Sequence, residues 1–149
     1  MKKSLHREVN VEEIFRRIDR LNKDAKAAWG KMNASQMLEH CSLILKIATQ
    51  EICIESSKFL IRTVGAAAKF ELEIFNSGIP HNMPTFKKVI VNFECDFEIS
   101  KQHLIQSVRD YLQVYRNQQL PPSHPLFGEM TVENWGFLEY KHLDHHLKQ

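Results

Sequence analysis

The sequence predicts an all-α protein, a four-helix bundle with a long crossover between the second and third helices. Apolar residues recur at helical spacing in four segments, near residues 11–21, 34–50, 100–117 and 131–148. The connections within the first pair and within the last pair of segments are short, whereas residues 51–99 separate the two pairs. The chain of 149 residues contains no internal repeat, so we expect one domain spanning residues 1–149.

Residues that favour helix N-termini mark the starts of the first two helices. Asn10 is the predicted N-cap of the first helix, and Glu13 follows at the spacing of a capping box. Asn33 or Ser35 is the predicted N-cap of the second helix, which carries an apolar stripe. Both segments are therefore predicted to be amphipathic helices.

The crossover is predicted to be irregular. "NSGIPHNMP" contains turn-forming residues throughout. "FKKVIVNFECDF" alternates apolar and polar residues, a pattern that is typical of a strand. We expect at most a short extended segment within residues 86–97, with "EICIE" as its candidate partner.

The last two helices are separated by prolines. The third helix, predicted to begin at Ser100, ends before "LPPSHPLFGE", in which tandem prolines remove backbone donors. Thr131 is the predicted N-cap of the fourth helix. One face of that helix is predicted to carry Trp135, Leu138, His142 and His146.

Composition excludes several classes of function. The net charge of +2 and the lack of a dense Lys/Arg run argue against a nucleic-acid partner. The most apolar stretch carries Arg62 and Lys69 and is too short to span a bilayer, and the N-terminus lacks the apolar core of a signal peptide. Three cysteines without paired spacing favour a reducing compartment. We therefore expect a cytoplasmic protein.

The closing stretch "KHLDHHLKQ" contains a candidate metal-binding pair. His142 and His146 lie four residues apart, so a helix places them on one face, about 5.4 Å apart along its axis. His145 lies at the edge of that face, and Asp144 is expected to be solvated on the opposite one. The alternative is that the pair is polar residues at a helix C-terminus, where protonated histidine is stabilised by the helix dipole.

A metal site needs a further ligand from another element. His40 is the best placed, since it lies near the apolar stripe of the second helix, where an imidazole needs a hydrogen-bond partner or a metal. A satisfied histidine at the border of the core is the alternative. For His124, which lies between prolines, we favour a plain loop residue over one that covers the mouth of a pocket.

Three blocks of the sequence carry a resemblance to a known superfamily. "WGKMNASQMLEHC", "HPLFGEMTVENWG" and "YKHLDHHLKQ" together resemble the DinB/YfiT-like superfamily of proposed metalloenzymes, and specifically its uncharacterised branch. The resemblance covers both ends of the chain and little of the middle. It implies a four-helix bundle with the long crossover described above.

The resemblance also implies a metal site and a range of chemistry. Members hold the metal with one histidine of the second helix and two on the last; His40, His142 and His146 match these, within a motif that Gln149 completes. Zinc or nickel is the expected ion for an all-imidazole site. Characterised relatives include thiol-dependent transferases and isomerases as well as hydrolases. A small-molecule substrate, a low-molecular-weight thiol as cofactor and a homodimer are therefore candidates.

Other residues have both a functional and a structural interpretation. Glu39 and Glu139 are candidate catalytic residues, for orienting a ligand or transferring a proton, although surface glutamates are commoner. Cys41 is better explained as a small buried residue than as a nucleophile. We favour thiol-dependent transfer on a small electrophile, with a metal-dependent hydrolase and a non-enzymatic metal-binding or structural protein as alternatives.

Overall fold

The computed structural model describes residues 2–55, 66–67, 69, 79 and 85–149. Within these residues the chain forms four α-helices: α1 (Glu8–Arg20), α2 (Ala34–Ala48), α3 (Phe97–Arg116) and α4 (Val132–His146). A 3₁₀ helix covers Lys87–Val89, and a small antiparallel pair joins β1 (Ser123–His124) to β2 (Gly128–Glu129). The predicted all-α, four-helix fold is confirmed.

The predicted caps of α2 and α4 are confirmed. Asn33 accepts from the backbone N–H of Gln36, whose side chain accepts in return from the Asn33 N–H. Thr131 and Asn134 make the same reciprocal pair at the start of α4. Such a cap contributes about 1 kcal/mol, because it satisfies N–H groups that have no partner within the helix.

The predicted starts of α1 and α3 are wrong by a few residues. Arg7 occupies the N-cap of α1 without a side-chain hydrogen bond, whereas Asn10 is buried inside the helix and donates to the carbonyl of Ser4 (2.9 Å). α3 begins at Phe97, where Asp96 accepts from the N–H of Ile99. Local capping preference was overridden at Asn10 by this contact with the N-terminal segment.

The strand-like alternation near residue 90 does not produce a strand in the described residues. Lys87–Val89 form a 3₁₀ turn, and residues 90–96 lead without regular structure into α3. Residues 51–55, the candidate partner, are also without a strand. Most of "NSGIPHNMP" lies outside the described residues.

The core lies between the four helices. Each large apolar side chain that this core removes from water stabilises the folded state by about 1.5–3 kcal/mol. An ion pair between Arg17 and Asp144 (2.7 Å) joins α1 to α4, and Lys148 also contacts Asp144 (2.6 Å), so the expectation that Asp144 is solvated is wrong. No helix among the described residues has the length and apolar character needed to cross a bilayer. Fully buried core residues include Ile14, Ile18, Leu38, Cys41, Leu45, Leu104, Val108, Tyr111 and Leu143.

Candidate metal centre

His40 is presented on α2 with one ring nitrogen already engaged. Its side chain is buried, and its Nδ1 lies 2.7 Å from the carbonyl oxygen of Val89. A carbonyl only accepts, so Nδ1 carries the hydrogen and Nε2 keeps its lone pair. The 3₁₀ turn that ends at Val89 therefore fixes the tautomer of His40 as a metal ligand requires.

His142 and His146 of α4 meet His40 as the sequence predicts. The ring centroids of His142 and His146 are 4.6 Å apart. The centroid of the His40 ring lies 5.3 Å from that of His142 and 4.8 Å from that of His146. One candidate ligand atom of each residue lies within 4.8 Å of the other two. A tetrahedral ion bonded to nitrogen at about 2.1 Å holds its ligands about 3.4 Å apart, so small side-chain rotations close the set. We call these residues the three-histidine cluster.

Gln149 fixes the tautomer of His146. Its amide nitrogen donates to the carbonyl of Trp29 (2.7 Å), and its amide oxygen lies 2.9 Å from His146 Nδ1. Because the Trp29 carbonyl only accepts, the amide nitrogen must face it, and the amide oxygen is left for His146. His146 Nδ1 therefore donates, and its Nε2 keeps the lone pair.

The loop before α2 encloses Gln149 from the other side. Ala28 donates its backbone N–H to the Gln149 carbonyl. Gly30 has a φ of 80°, and a Cβ there would lie 2.5 Å from Gln149 Nε2. Only glycine provides both this conformation and this clearance. The final residue is thereby held against the loop, with its side chain directed to His146.

His142 differs from the other two histidines because its Nδ1 has no partner among the described residues. This nitrogen is buried and makes no hydrogen bond with the described residues. Leaving such an atom unsatisfied costs about 1–3 kcal/mol. A metal bound at Nδ1 itself would offset that cost, so the donor set and its unpaired nitrogen fit a cation.

All three imidazoles are held neutral. Burial lowers the pKa of His40, and it lowers that of His146 to about 4, with His40 adding repulsion. The pKa of His142 lies well below its ordinary value because its ring is enclosed and the neighbouring histidines disfavour a further charge. Neutral imidazole is the form that binds a metal, so the cluster is ready for a cation near neutral pH.

The two predicted carboxylates do not join the cluster. Glu39 lies beside His40 in α2 but pairs with His103 Nδ1 (2.9 Å) at the surface. Glu139, one turn before His142, is 2% exposed, and burial raises its pKa to about 8. Its Oε2 makes no hydrogen bond with the described residues. A catalytic role for either glutamate stays a prediction.

Cys41 does not supply a nucleophile or a ligand. Its side chain is fully buried, and burial, followed by the neighbouring Glu139, raises the pKa of its thiol. The thiol therefore stays protonated and behaves as a small apolar group. This agrees with the structural interpretation favoured from the sequence.

A small cavity adjoins the cluster. Its volume is about 40 Å³, and the loop before α2 and the C-terminus line it together with His146. This is space for water-sized molecules, so a larger ligand at His146 must widen it. Leu21, Ala25, Met32, Met37, Leu147 and Gln149 are among the other lining residues.

Sequence reasoning found the three histidines but missed part of their support. The carbonyl of Val89 has no sequence signal, because any residue supplies a carbonyl. The segment that contains Val89 also alternates apolar and polar residues, which predicted a strand instead. The Trp29 carbonyl was missed for the same reason.

These features define an all-α, four-helix protein with a cluster of three histidines that can hold a metal ion. The chain belongs to the family described as "Protein of unknown function (DUF1569)", whose match covers residues 1–149. Comparisons with curated proteins and with solved structures found no match.

Proposed function

We propose that this protein is a DinB/YfiT-like, metal-dependent enzyme whose His40, His142 and His146 bind a divalent transition metal. The observation that carries the proposal is the convergence of three neutral imidazoles from two helices. Support comes from the carbonyl acceptors at Nδ1 of His40 and His146, which leave both Nε2 atoms free as ligands. Zinc or nickel suits this donor set best.

The proposed site is open, as catalysis requires. Within the described residues no fourth side chain joins the cluster, whereas structural zinc sites are closed by four protein ligands. A metal bound there would lower the pKa of a thiol or water that takes the open position. The protein's own part is to orient three neutral imidazoles and to exclude bulk water from them.

The reaction that we favour is thiol-dependent transfer to a small electrophile in the cytoplasm. The sulfur lone pair forms a bond to the electrophilic carbon, the leaving group departs with its bonding pair, and the thiol proton passes to a base. Buried Cys41 cannot provide this sulfur, so a low-molecular-weight thiol must. Glu139 is the proposed base in its ionised form, whose share rises as the pH approaches its pKa of about 8. Glu39 is proposed to orient His103 or exchange a proton with it, since the two side chains pair at 2.9 Å.

Metal content is the first test. Alanine at His40, His142 or His146 should remove the metal from the purified protein, as measured by mass spectrometry of the element. His145→Ala is the matched control, since His145 lies outside the cluster but beside it, with its ring centroid 5.0 Å from that of His146. Equal metal loss from all four variants would contradict the proposed geometry.

Turnover is the second test. Wild type, His142→Ala and metal-free protein should be assayed with a chlorinated arene plus thiol, and with an activated ester without thiol. Conjugation only by metal-loaded wild type is expected. Ester hydrolysis that is lost with His142, and whose rate rises through a pKa near ~7, would identify a hydrolase instead. No turnover in any arm would favour a non-enzymatic metal-binding protein.

A further inference from the structure

His124 is a buried histidine whose role the three-histidine cluster does not explain. It lies in β1, opposite Gly128 of β2, and is 7% exposed. Its Nδ1 lies 3.1 Å from the backbone nitrogen of Leu126 and 3.3 Å from that of Phe127. Both N–H groups donate, so Nδ1 must accept. The neutral ring then carries its hydrogen on Nε2.

The Nε2–H of His124 is a donor without an assigned acceptor. No described residue accepts a hydrogen bond from it. The turn uses only Nδ1 of the ring, so the Nε2–H donor has no structural role among the described residues.

The surroundings of His124 connect it to the cluster from two sides. Its ring contacts Trp135 edge to face (5.4 Å), two helical turns before His142 on α4. It also lies 6.0 Å from the ring of Phe86, next to the 3₁₀ turn whose Val89 carbonyl holds His40. The electrostatic influence of His124 extends to His142, whose pKa it lowers.

A cation lies beside His124. The ammonium of Lys69 donates to the carbonyl of Glu129, the residue after Gly128. Burial, and after it the charge of Lys69, lowers the pKa of His124 to about 4. One neutral N–H donor and one ammonium suit a singly charged group with two oxygens.

We propose that His124 and Lys69 form a subsite that binds a carboxylate of the substrate beside the three-histidine cluster. The proposal deepens the proposed function and rests on it for the role of the subsite in a reaction. The substrate class is then a small electrophile that carries a carboxylate. The Nε2–H donor and the Lys69 ammonium hold that group while the reactive carbon faces the cluster.

Two substitutions at His124 separate ligand binding from loop structure. His124→Asn keeps an acceptor near Nδ1 for the Leu126 and Phe127 N–H groups but removes the Nε2 donor. His124→Gln places a donor near Nε2 and removes the acceptor. Lys69→Gln removes the charge. Melting temperature and zinc content show whether each variant folds and retains metal.

Benzoate is the probe, and neutral benzamide of the same shape is its control, with binding measured by calorimetry on zinc-loaded and metal-free protein. Wild type should bind benzoate about tenfold more tightly than benzamide, the effect of one charge-assisted hydrogen bond. His124→Asn and Lys69→Gln should abolish this preference, and folded His124→Gln should keep most of it. Benzoate should also shift the ¹⁵N signal of His124 Nε2 in the wild type.

An unshifted His124 signal, or equal benzoate affinity in wild type and His124→Asn, would overturn the subsite. The ¹⁵N measurement uses the wild type, so it tests the subsite even if every His124 variant fails to fold. Failure of the proposed function has a different signature. Protein that takes up no zinc but binds benzoate at His124 would refute the metal site and leave the subsite in place.

Discussion

At the scale of single residues, the cluster depends on which nitrogen of each histidine is engaged. Val89 and Gln149 supply acceptors for Nδ1 of His40 and His146, and these contacts leave Nε2 of each ring with its lone pair. Metal-binding histidines commonly need such partners, and losing one typically lowers affinity 10–100-fold, by order of magnitude. The support of each ring can therefore be tested separately from the ring itself.

Gln149→Ala should weaken metal binding without abolishing it. The substitution removes the acceptor at His146 Nδ1 and the donor to the Trp29 carbonyl, so His146 can rotate and change tautomer. We expect a loss of about 10–100-fold in zinc affinity, measured by competition with a chromogenic chelator. Lys148→Ala is the matched control, because it breaks only an exposed ion pair with Asp144. Unchanged affinity in Gln149→Ala would show that His146 is oriented by its packing alone.

The sequence predicted which histidines come together better than it predicted their surroundings. His142 and His146 follow from helical periodicity, which is a local property, and His40 follows from the apolar stripe of its helix. The contacts of Val89 and Trp29 involve backbone carbonyls far away along the chain, and no residue type encodes them. The burial of Glu139 could not be predicted either, since carboxylates are seldom enclosed without a partner.

At the scale of elements, α2 and α4 carry the site and have the best-defined starts. Reciprocal side-chain caps begin both helices, which fixes the register of His40 and His142 relative to the core. The starts of α1 and α3 were misplaced by the sequence, because Asn10 contacts the N-terminal segment and Asp96 caps earlier than Ser100. Capping preference fails at Asn10 because a tertiary contact competes with it, and at Ser100 because Asp96 is an earlier cap.

Two glycines give a matched test of how the loops support the site. Gly30→Ala should lower both stability and zinc affinity, because its φ of 80° is strained for alanine and its Cβ would meet Gln149. At Gly136→Ala the new Cβ would meet the Ser4 hydroxyl and the His6 ring, which are not part of the cluster. We expect each substitution to lower the free energy of unfolding by about 1–3 kcal/mol.

Only Gly30→Ala should change zinc affinity in that pair. Denaturant unfolding of the metal-free proteins and chelator competition of the loaded ones separate the two effects. If Gly136→Ala weakened zinc binding as much as Gly30→Ala, the effect would be general destabilisation. The loop before α2 would then have no specific role in holding Gln149.

At the scale of the whole molecule, buried titratable groups set how stability depends on pH. Burial is the main cause that lowers the pKa of five histidines in the folded protein, namely His6, His40, His124, His142 and His146. Between pH 4 and 6.5 the unfolded chain therefore binds more protons than the folded one. Stability rises with pH across this window and is lost as the pH falls.

Glu139 changes the stability with pH in the opposite direction. Its pKa is raised from 4.5 to about 8 by burial, so between these values the folded protein holds a proton that the unfolded chain has released. Stability from this residue falls as the pH rises through that range. A single group in such a window contributes about 1.4 kcal/mol per pH unit. Several histidines outweigh it below pH 6.5, and above that value it acts alone among these groups.

The metal-free protein should therefore be most stable near pH ~6.5, with a steep loss on the acid side and a shallower one toward pH 8. Glu139→Gln should flatten the alkaline side and steepen the acid side above pH 4.5, because it removes a proton that the folded protein keeps and the unfolded chain releases. Added zinc should stabilise the protein by a similar amount above about pH 5 and lose its effect as the pH falls toward 4, since protons compete with the metal for the folded imidazoles only near their lowered pKa values. Urea unfolding across this range, with zinc or with chelator, measures all three effects. Zinc stabilisation that is independent of pH would mean that the ion binds groups other than these histidines.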